Sequence, residues 1–300
     1  MPTDPRARRR TLAVTVAAVL VVGVGGVLAL RDGGRPAVLS ESCTASADGT
    51  SHALAPDQAA NAALLTATAI RRGLPARAAT IAIATAVQES KLRNIDYGDR
   101  DSLGLFQQRP SQGWGTPEQI MDPAYATDTF YDALVEVEGY ESMEITVAAQ
   151  RVQRSGFPEA YADHEPEGRA YASALTGNSP ASLTCRLRPP ADDVVQEPSA
   201  SGLTPRADAV LTAAQTQLGE LVAEPAGDDG ATVAFTVDGE QQGRDGWALA
   251  HWAVAGADRL GVVSVATDGQ RWDRTANEGW TPTDGAPPAG SVTVTVANGT

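Results

Sequence analysis

The chain contains very few of several residue types that often signal a function. Among its 300 residues there are one lysine (Lys91), three histidines and two cysteines. The histidines are scattered without the spacing of metal ligands, so we expect neither a metal site nor a cofactor. Aromatic residues make up only 5% of the sequence, and we find no internal repeat. The absence of a repeat argues against a solenoid or a propeller.

Positive charge is scarce beyond the first 35 residues. The formal net charge of the whole chain is -14, and the part after Arg35 carries 17 basic against 35 acidic residues. Nucleic-acid binding requires a basic face, so this composition argues against a nucleic-acid partner. A carbohydrate ligand would have to be held by hydrogen bonds and stacking rather than by charge alone.

One long uncharged run lies near the N-terminus. Residues 11–30 carry no charged side chain, and four arginines precede them within residues 6–10. Twenty helical residues at about 1.5 Å each span the roughly 30 Å core of a bilayer. We therefore expect a cytoplasmic segment at residues 1–10, a single-pass membrane anchor at residues 11–30, and export of the rest. The alternative is a cleaved signal peptide, which would give a secreted protein.

Cys43 and Cys185 are the only cysteines, and they bracket most of the exported helical sequence. Outside the membrane such a pair is more often bridged than free, so we predict a disulfide. A loop of this length gains about 4–5 kcal/mol in the chain-entropy model.

Residues 55–188 have the pattern of a mostly helical domain. Pro56 and Pro75 open helices, and Thr116 begins a Thr-Pro-Glu-Gln capping box. Residues 94–115 contain aspartates and glycines without a helical period, which indicates a loop or a small hairpin region.

The flanking segments differ in texture from the helical domain. Residues 31–54 form a spacer in this interpretation, and residues 189–204, rich in proline and serine, form a linker. Residues 205–300 mix helical and alternating patterns, so we predict a small α+β module there, to which we assign no role.

The helix that begins after Pro75 ends with an acid on its apolar face. Glu89 follows Ala82 by seven positions and Ala86 by three, which places it on the buried stripe. Partial burial and the negative end of the helix dipole both raise the pKa of a carboxyl group. An acid that is still protonated near neutral pH is what cleavage of a glycosidic bond requires. The alternative is a surface glutamate at a frayed helix end.

A glycine-led loop follows Glu89, with the sequence Gly-Leu-Phe-Gln-Gln at residues 104–108. Glu-Ser at a helix end, then Gly-Leu-Phe-Gln, then a proline and a tryptophan, resembles the soluble lytic transglycosylases and goose-type lysozymes. The resemblance covers residues 55–177. It implies a mostly α, lysozyme-like (α+β) catalytic domain, followed here by the small α+β module at residues 205–300.

The resemblance also implies a reaction. Glu89 would cleave the MurNAc-GlcNAc β-1,4 bond of peptidoglycan as the single acid and base, leaving 1,6-anhydro-muramic ends as lytic transglycosylases do. A muramidase that leaves reducing ends is the alternative within the enzyme class. The partners implied are peptidoglycan glycan strands, the membrane through the N-terminal helix, and the cell-wall machinery.

The same resemblance places the substrate-binding side chains around Glu89. Glutamine amides suit N-acetyl and hydroxyl groups because they both donate and accept hydrogen bonds. A tryptophan between glycines either stacks on a sugar face or fills the interior, and the phenylalanine that replaces the family's methionine fits a core position as well as a sugar platform. The expected contacts are Ser90, Phe106, Gln107, Gln108, Trp114 and Gln150.

The sequence departs from the family where a tyrosine is expected to bond the catalytic glutamate. Residues 148–155 fall where the family has Ala-Tyr-Asn-Ala-Gly, and Gln150 stands near the tyrosine's place. A glutamine can supply the same hydrogen bond, so we predict Gln150 as the partner of Glu89, and we interpret Tyr161 as a helix-packing residue. The departure also leaves open a catalytically weak, lysozyme-like protein that binds the wall or serves as a scaffold.

Overall fold

A computed structural model of the chain describes residues 40–156, 159–190, 194–276 and 278–299. The predicted cytoplasmic segment and membrane anchor lie outside these residues. Within them, no helix has both the length and the apolar character needed to span a bilayer. Residues Glu41–Thr300 form one compact unit of helices and two antiparallel sheets, an α+β fold.

The first sheet is built around the disulfide. Strand β1 (Ser42–Ala47) lies in the middle, between β2 (Thr50–Leu54) and β3 (Leu183–Arg186). Cys43 is paired with Cys185 across β1 and β3, and the two are bridged over a sequence separation of 142. The predicted disulfide is therefore confirmed.

The hairpin of β1 and β2 corrects the prediction of a spacer at residues 31–54. Cys43 and Ala45 point inward and are fully buried, while Asp48 and Gly49 take positive φ angles at the turn. Strands this short leave only two inward positions, so the alternation is too brief to stand out in the sequence. Residues 31–39 lie outside the described part of the chain.

Six helices follow the hairpin and build the part of the unit that holds Glu89. They are α1 (Pro56–Arg71), α2 (Ala76–Ser90), α3 (Pro117–Ile120), α4 (Pro123–Val135), α5 (Ile145–Gln153) and α6 (Glu165–Leu175). Helix α2 is central, because it contacts α1, α4, α5 and α6, and every residue from 78 to 87 is buried. The capping box predicted at Thr116 is confirmed, with hydrogen bonds in both directions between Thr116 and Gln119.

Helix α6 packs closely on α2 because it presents a glycine at the contact. A Cβ atom on Gly168 would lie 2.8 Å from the carbonyl oxygen of Thr80 and 3.3 Å from the amide nitrogen of Ala84. Any side chain at this position would push the two helices apart. The short 3-10 turn Ala162–His164 leads directly into α6, so this packing also fixes the chain just before it.

The remaining elements form a second sheet with helices on it. In chain order they are α7 (Pro205–Leu218), β4 (Val222–Ala226), β5 (Thr232–Thr236), α8 (Gln242–Ala255), α9 (Ala257–Leu260), β6 (Val262–Thr267), β7 (Gln270–Asp273), β8 (Trp280–Pro282) and β9 (Ser291–Val296). The strand order is β4-β5-β9-β6-β7-β8. A tight turn at Asp268-Gly269 joins β6 to β7, with positive φ at both residues. The predicted mixture of helices and strands after residue 205 is thus confirmed.

Helix α8 and two tryptophans connect this second part to the first. The indole N–H groups of Trp272 and Trp280 donate to the carbonyls of Cys185 and Leu183 on the edge strand β3, over 3.2 and 2.8 Å. The ring of His251, on α8, bonds the carbonyl oxygen of Ala174 at 2.7 Å. The division into two domains at residues 189–204 stays a prediction. These contacts join residues on the two sides of that segment.

Candidate active site

Glu89 lies in the last turn of α2, next to the most buried segment of the helix. Its side chain is half-buried, whereas Ala82 and Ala86 on the same stripe are fully buried. The helix ends at Lys91, which takes a left-handed conformation with φ of 57°. The last turn itself contains no basic residue, and Lys91 at the C-cap directly follows it. The rigid, buried helix therefore fixes the position of the Glu89 carboxyl group.

Tyr161 holds this carboxyl group. Its hydroxyl donates to Oε1 of Glu89 over 2.6 Å, and its ring is fully buried. The Ser155 hydroxyl bonds Tyr161 in turn. His164, at the end of the same 3-10 turn, bonds the Gln88 side chain at 2.9 Å and ties the segment to α2.

Tyr161 corrects two of the sequence interpretations. It is not merely a helix-packing residue, and the hydrogen bond expected from Gln150 comes from Tyr161 instead. Gln150 turns its amide away and donates to the carbonyl of Ser155 at 2.8 Å, while its Oε1 is buried without a partner. A lone tyrosine in an irregular segment carries no periodicity, so nothing in the sequence marked it. The hydroxyl that bonds Glu89 thus comes from a later part of the chain than residues 148–155.

The environment shifts the proton affinity of both groups in this pair. Burial raises the pKa of Glu89 above its ordinary value, and hydrogen bonds from Tyr161 and then Gln153 offset only part of that rise. Burial, followed by the contact with Glu89, also raises the pKa of Tyr161, so its hydroxyl stays protonated. The pair is therefore a neutral donor facing a carboxyl group that holds its proton more tightly than usual.

Three of the predicted substrate contacts are structural. The Ser90 hydroxyl donates to the carbonyl of Leu105 at 2.7 Å, which pins the loop to the end of α2. Phe106 is fully buried and stacks on Phe130 with ring centroids 4.3 Å apart. Gln108 is 1% exposed and donates to the carbonyl of Ala126. These side chains hold the loop in place and are not accessible to a sugar.

Gln107 is the member of the loop that reaches the surface. It is half-exposed, with φ of 50°, and its amide nitrogen donates to the carbonyls of Tyr97 and Gly104. Gly98 allows the amide to lie flat, since a Cβ there would be 1.9 Å from the Gln107 Oε1 atom. Its carboxamide oxygen has no hydrogen bond among the described residues. Gln107 thus keeps an acceptor available at the loop surface.

Trp114 lines a cavity of about 640 Å³ that Glu89 does not line itself but that reaches Gln153, a hydrogen-bond partner of Glu89. The indole is half-buried, and its N–H has no hydrogen-bond partner among the described residues. Gln153 lies in the wall of the same cavity, donates to the carbonyl of Phe106 at 2.7 Å, and also acts on Glu89. Gln153 therefore forms the border between the cavity and the acid, and no feature of the sequence indicated it.

The nearby aspartates are committed to other contacts or point away. Asp101 accepts hydrogen bonds from the Ser111 amide at 2.8 Å and from Arg109 at 2.7 Å, and these bonds lower its pKa well below the usual range. Asp96 and Asp99 are exposed on the loop surface. Among the described residues, no group of three or more His, Cys, Asp or Glu side chains is arranged to hold a metal ion.

A second cavity of about 630 Å³ lies elsewhere, and both of its lining carboxylates are paired with arginines. Arg188 pairs with Glu41 at 2.6 Å, and Arg274 pairs with Asp258 at 3.0 Å. The site around Glu89 is different in holding a carboxyl group of raised pKa without a cationic partner. No protein-family model and no curated protein sequence matches this chain.

Proposed function

We propose that this protein cleaves the MurNAc-GlcNAc β-1,4 glycosidic bond of peptidoglycan, with Glu89 as the single acid and base. The observation that carries the proposal is the half-buried Glu89, held by Tyr161 at the end of a buried helix and beside a tryptophan-lined cavity. Burial raises the pKa of Glu89, and a general acid must be protonated at the working pH. The lysozyme-like resemblance of residues 55–177 supplies the substrate class.

The proposed reaction uses one carboxyl group twice. Glu89 gives its proton to the glycosidic oxygen as the C1–O bond breaks. The carboxylate then takes a proton from the 6-hydroxyl of the muramic acid, whose oxygen attacks C1 and closes the 1,6-anhydro ring. Tyr161 binds Oε1 and orients the carboxyl group, and Gln153 contributes a second hydrogen bond to it. A second carboxylate is not needed, in keeping with the commitment of Asp101 to Arg109 and Ser111.

The proposal includes a location outside the cytoplasm. A disulfide persists in an oxidising compartment, and the Cys43–Cys185 bridge fits export of the part that follows the N-terminal run. Anchoring through residues 11–30 would keep the enzyme next to the wall that it acts on.

A non-catalytic, wall-binding protein is the second candidate. One observation favours it: Ser90, Phe106 and Gln108 are buried, so half of the expected substrate contacts cannot touch a sugar. Such a protein would bind glycan strands through the cavity and leave them intact.

Digestion of purified peptidoglycan by the full-length chain tests the proposal. Glu89→Gln keeps the shape of the side chain and removes its acid, so cleavage should fall by about a hundredfold to ten-thousandfold. Glu220→Gln, at an exposed position, is the matched control and should cleave like wild type. Mass spectrometry of the products separates anhydro-muramic ends, expected here, from the reducing ends of a hydrolase. Glycan strands that bind wild type but stay uncut would support the wall-binding candidate instead.

A further inference from the structure

Arg151 and Arg154 stand out because, among the described residues, neither side chain has a hydrogen-bond or ion-pair partner in a chain rich in acids. Among the described residues, ten of the sixteen arginines lie within 4.0 Å of a carboxylate oxygen. Arg77 and Arg206 donate to backbone carbonyls. The four whose side chains have no hydrogen bond or ion pair among the described residues are Arg151, Arg154, Arg186 and Arg259.

Two of these four arginines share one place. Arg151 and Arg154 both line the 640 Å³ cavity that Trp114 also lines, and Gln153 between them borders Glu89. Both side chains are exposed, at the C-terminal end of α5, and Arg154 takes φ of 52° there. Both arginines thus line the same cavity as the residue between them that contacts the acid.

The charge of the cavity is opposite to that of the chain. Its charged lining residues are Arg151, Arg154 and Glu136, and no ion pair within 4.0 Å joins Glu136 to either arginine. The local balance is therefore positive, whereas the part of the chain after Arg35 carries twice as many acidic as basic residues. An anionic group would be drawn to this place and repelled by most of the remaining surface.

A simpler explanation assigns the arginines to the helix end. Basic side chains in a last turn offset the negative end of a helix dipole, and Arg151 is in the last turn of α5. That explanation does not require two unpaired guanidinium groups to face the same cavity next to Glu89. It also predicts a loss of stability on removal rather than a change in substrate preference.

We propose that Arg151 and Arg154 bind a carboxylate carried by the glycan strand, beside the bond that Glu89 cleaves. This inference rests on the proposed cleavage of peptidoglycan and adds the chemistry that selects among strands. Guanidinium groups bind carboxylates through paired, charge-assisted hydrogen bonds, and their planar donors fit the two oxygens. A strand with free carboxylates is then preferred over a neutral one of the same length.

The test compares one preparation of peptidoglycan strands in two forms. In one form the free carboxylates of the strands are intact, and in the other they are capped as neutral methylamides. Wild type should cleave the intact strands about tenfold more efficiently, measured as kcat/KM. The double variant Arg151→Gln/Arg154→Gln should lose that preference by slowing on intact strands alone. The double variant Arg186→Gln/Arg259→Gln removes the same charge outside this cavity and should keep the preference.

Binding of both strand forms to the Glu89→Gln protein is measured in parallel, so that the two proposals can fail separately. Equal cleavage and equal binding of the two forms by wild type would overturn the role of the arginines and leave the cleavage proposal standing. An equal loss on both forms in the arginine variant would also overturn it, because that result is a general effect on α5. Tighter binding of intact strands without any cleavage would uphold the arginine site and reject catalysis. Neither binding nor cleavage would reject both.

Discussion

The helical part with Glu89 and the part after residue 205 use the indole N–H groups of their tryptophans in opposite ways. After residue 205, all four tryptophans donate their indole N–H: Trp247 to Asp268, Trp252 to Gln217, Trp272 to Cys185 and Trp280 to Leu183. In the helical part, the indole of Trp114 has no hydrogen-bond partner among the described residues and faces a cavity.

Charged groups show the same contrast. Arg274 is 2% exposed and donates to the carbonyls of Ala257 and Val262 and to Asp258, so its charge is fully used inside the protein. Glu89, also partly buried, has only neutral partners, and burial raises its pKa. Groups such as Arg274, whose charge is fully hydrogen-bonded inside the protein, stabilise the fold. Groups such as Glu89, whose charge has no charged partner, are free to bind a ligand. The difference teaches that burial alone does not distinguish a group that stabilises the fold from one that can bind a ligand.

The most direct test of this contrast is to replace one tryptophan in each part with alanine. Trp272 is 1% exposed, so Trp272→Ala should lower the free energy of unfolding by about 3–5 kcal/mol. Trp114→Ala should cost much less stability and should instead raise KM for glycan strands. Urea titration and cleavage kinetics measure the two effects. Similar losses of stability in both variants would show that Trp114 is a packing residue.

The disulfide lies at the joint of the two parts, and its loss is the next largest effect. Replacing both Cys43 and Cys185 by serine should lower the free energy of unfolding by about 2–4 kcal/mol, because the unfolded chain is no longer constrained. Both parts should unfold in one transition, since β3 carries contacts to each. Circular dichroism and tryptophan fluorescence follow the helices and the second part separately. Two separate transitions in the wild-type protein would contradict the single compact unit.

Tyr161→Phe removes the hydrogen bond to Glu89 and little else. The expected loss of kcat is about tenfold, the value of a bond to a charged group. That bond lowers the pKa of Glu89, so its removal should raise the pKa further and move the alkaline limb of the pH profile to higher pH. Tyr131→Phe is the matched control, because its buried hydroxyl bonds the carbonyl of Leu65 at 2.9 Å. A profile that shifts equally in both variants would remove Tyr161 from its positioning role.

The smallest effect concerns stability against pH at two carboxyl groups. Burial raises the folded pKa of Glu89, so its stabilising contribution is present at low pH and lost as pH rises through that value. Glu89→Gln should therefore melt higher than wild type near neutral pH, with the gap closing toward pH 4. Asp101 is the opposite case, since its bonds to Ser111 and Arg109 lower its folded pKa. Asp101→Asn should melt lower at neutral pH, with the gap closing in acid, and gaps of the same sign would contradict the assignment.

The sequence predicts the long helices and the position of Glu89 better than it predicts the contacts around them. Helix α2 has enough residues for its stripe to be visible, so both the helix and the place of Glu89 follow from spacing. Strand β3, by contrast, has four residues, too few for a period, and its partner lies far away in the chain. Tyr161 and Gln153 reach Glu89 through tertiary packing, which depends on where α5 and α6 cross α2. The local sequence does not indicate where these helices pack against each other.

The two indole hydrogen bonds to β3 can form only after Trp272 and Trp280 have been synthesised. A polypeptide that emerges from its N-terminus first completes Glu89, Tyr161 and both cysteines long before Trp272 and Trp280 arrive. Until then, the carbonyls of Leu183 and Cys185 on the edge of the first sheet lack the donors that cover them in the finished protein. The edge strand stays exposed to pairing with other chains for most of that time. The segment that carries Trp272 and Trp280 therefore covers the edge of the first sheet long after strand β1 of that sheet has been synthesised.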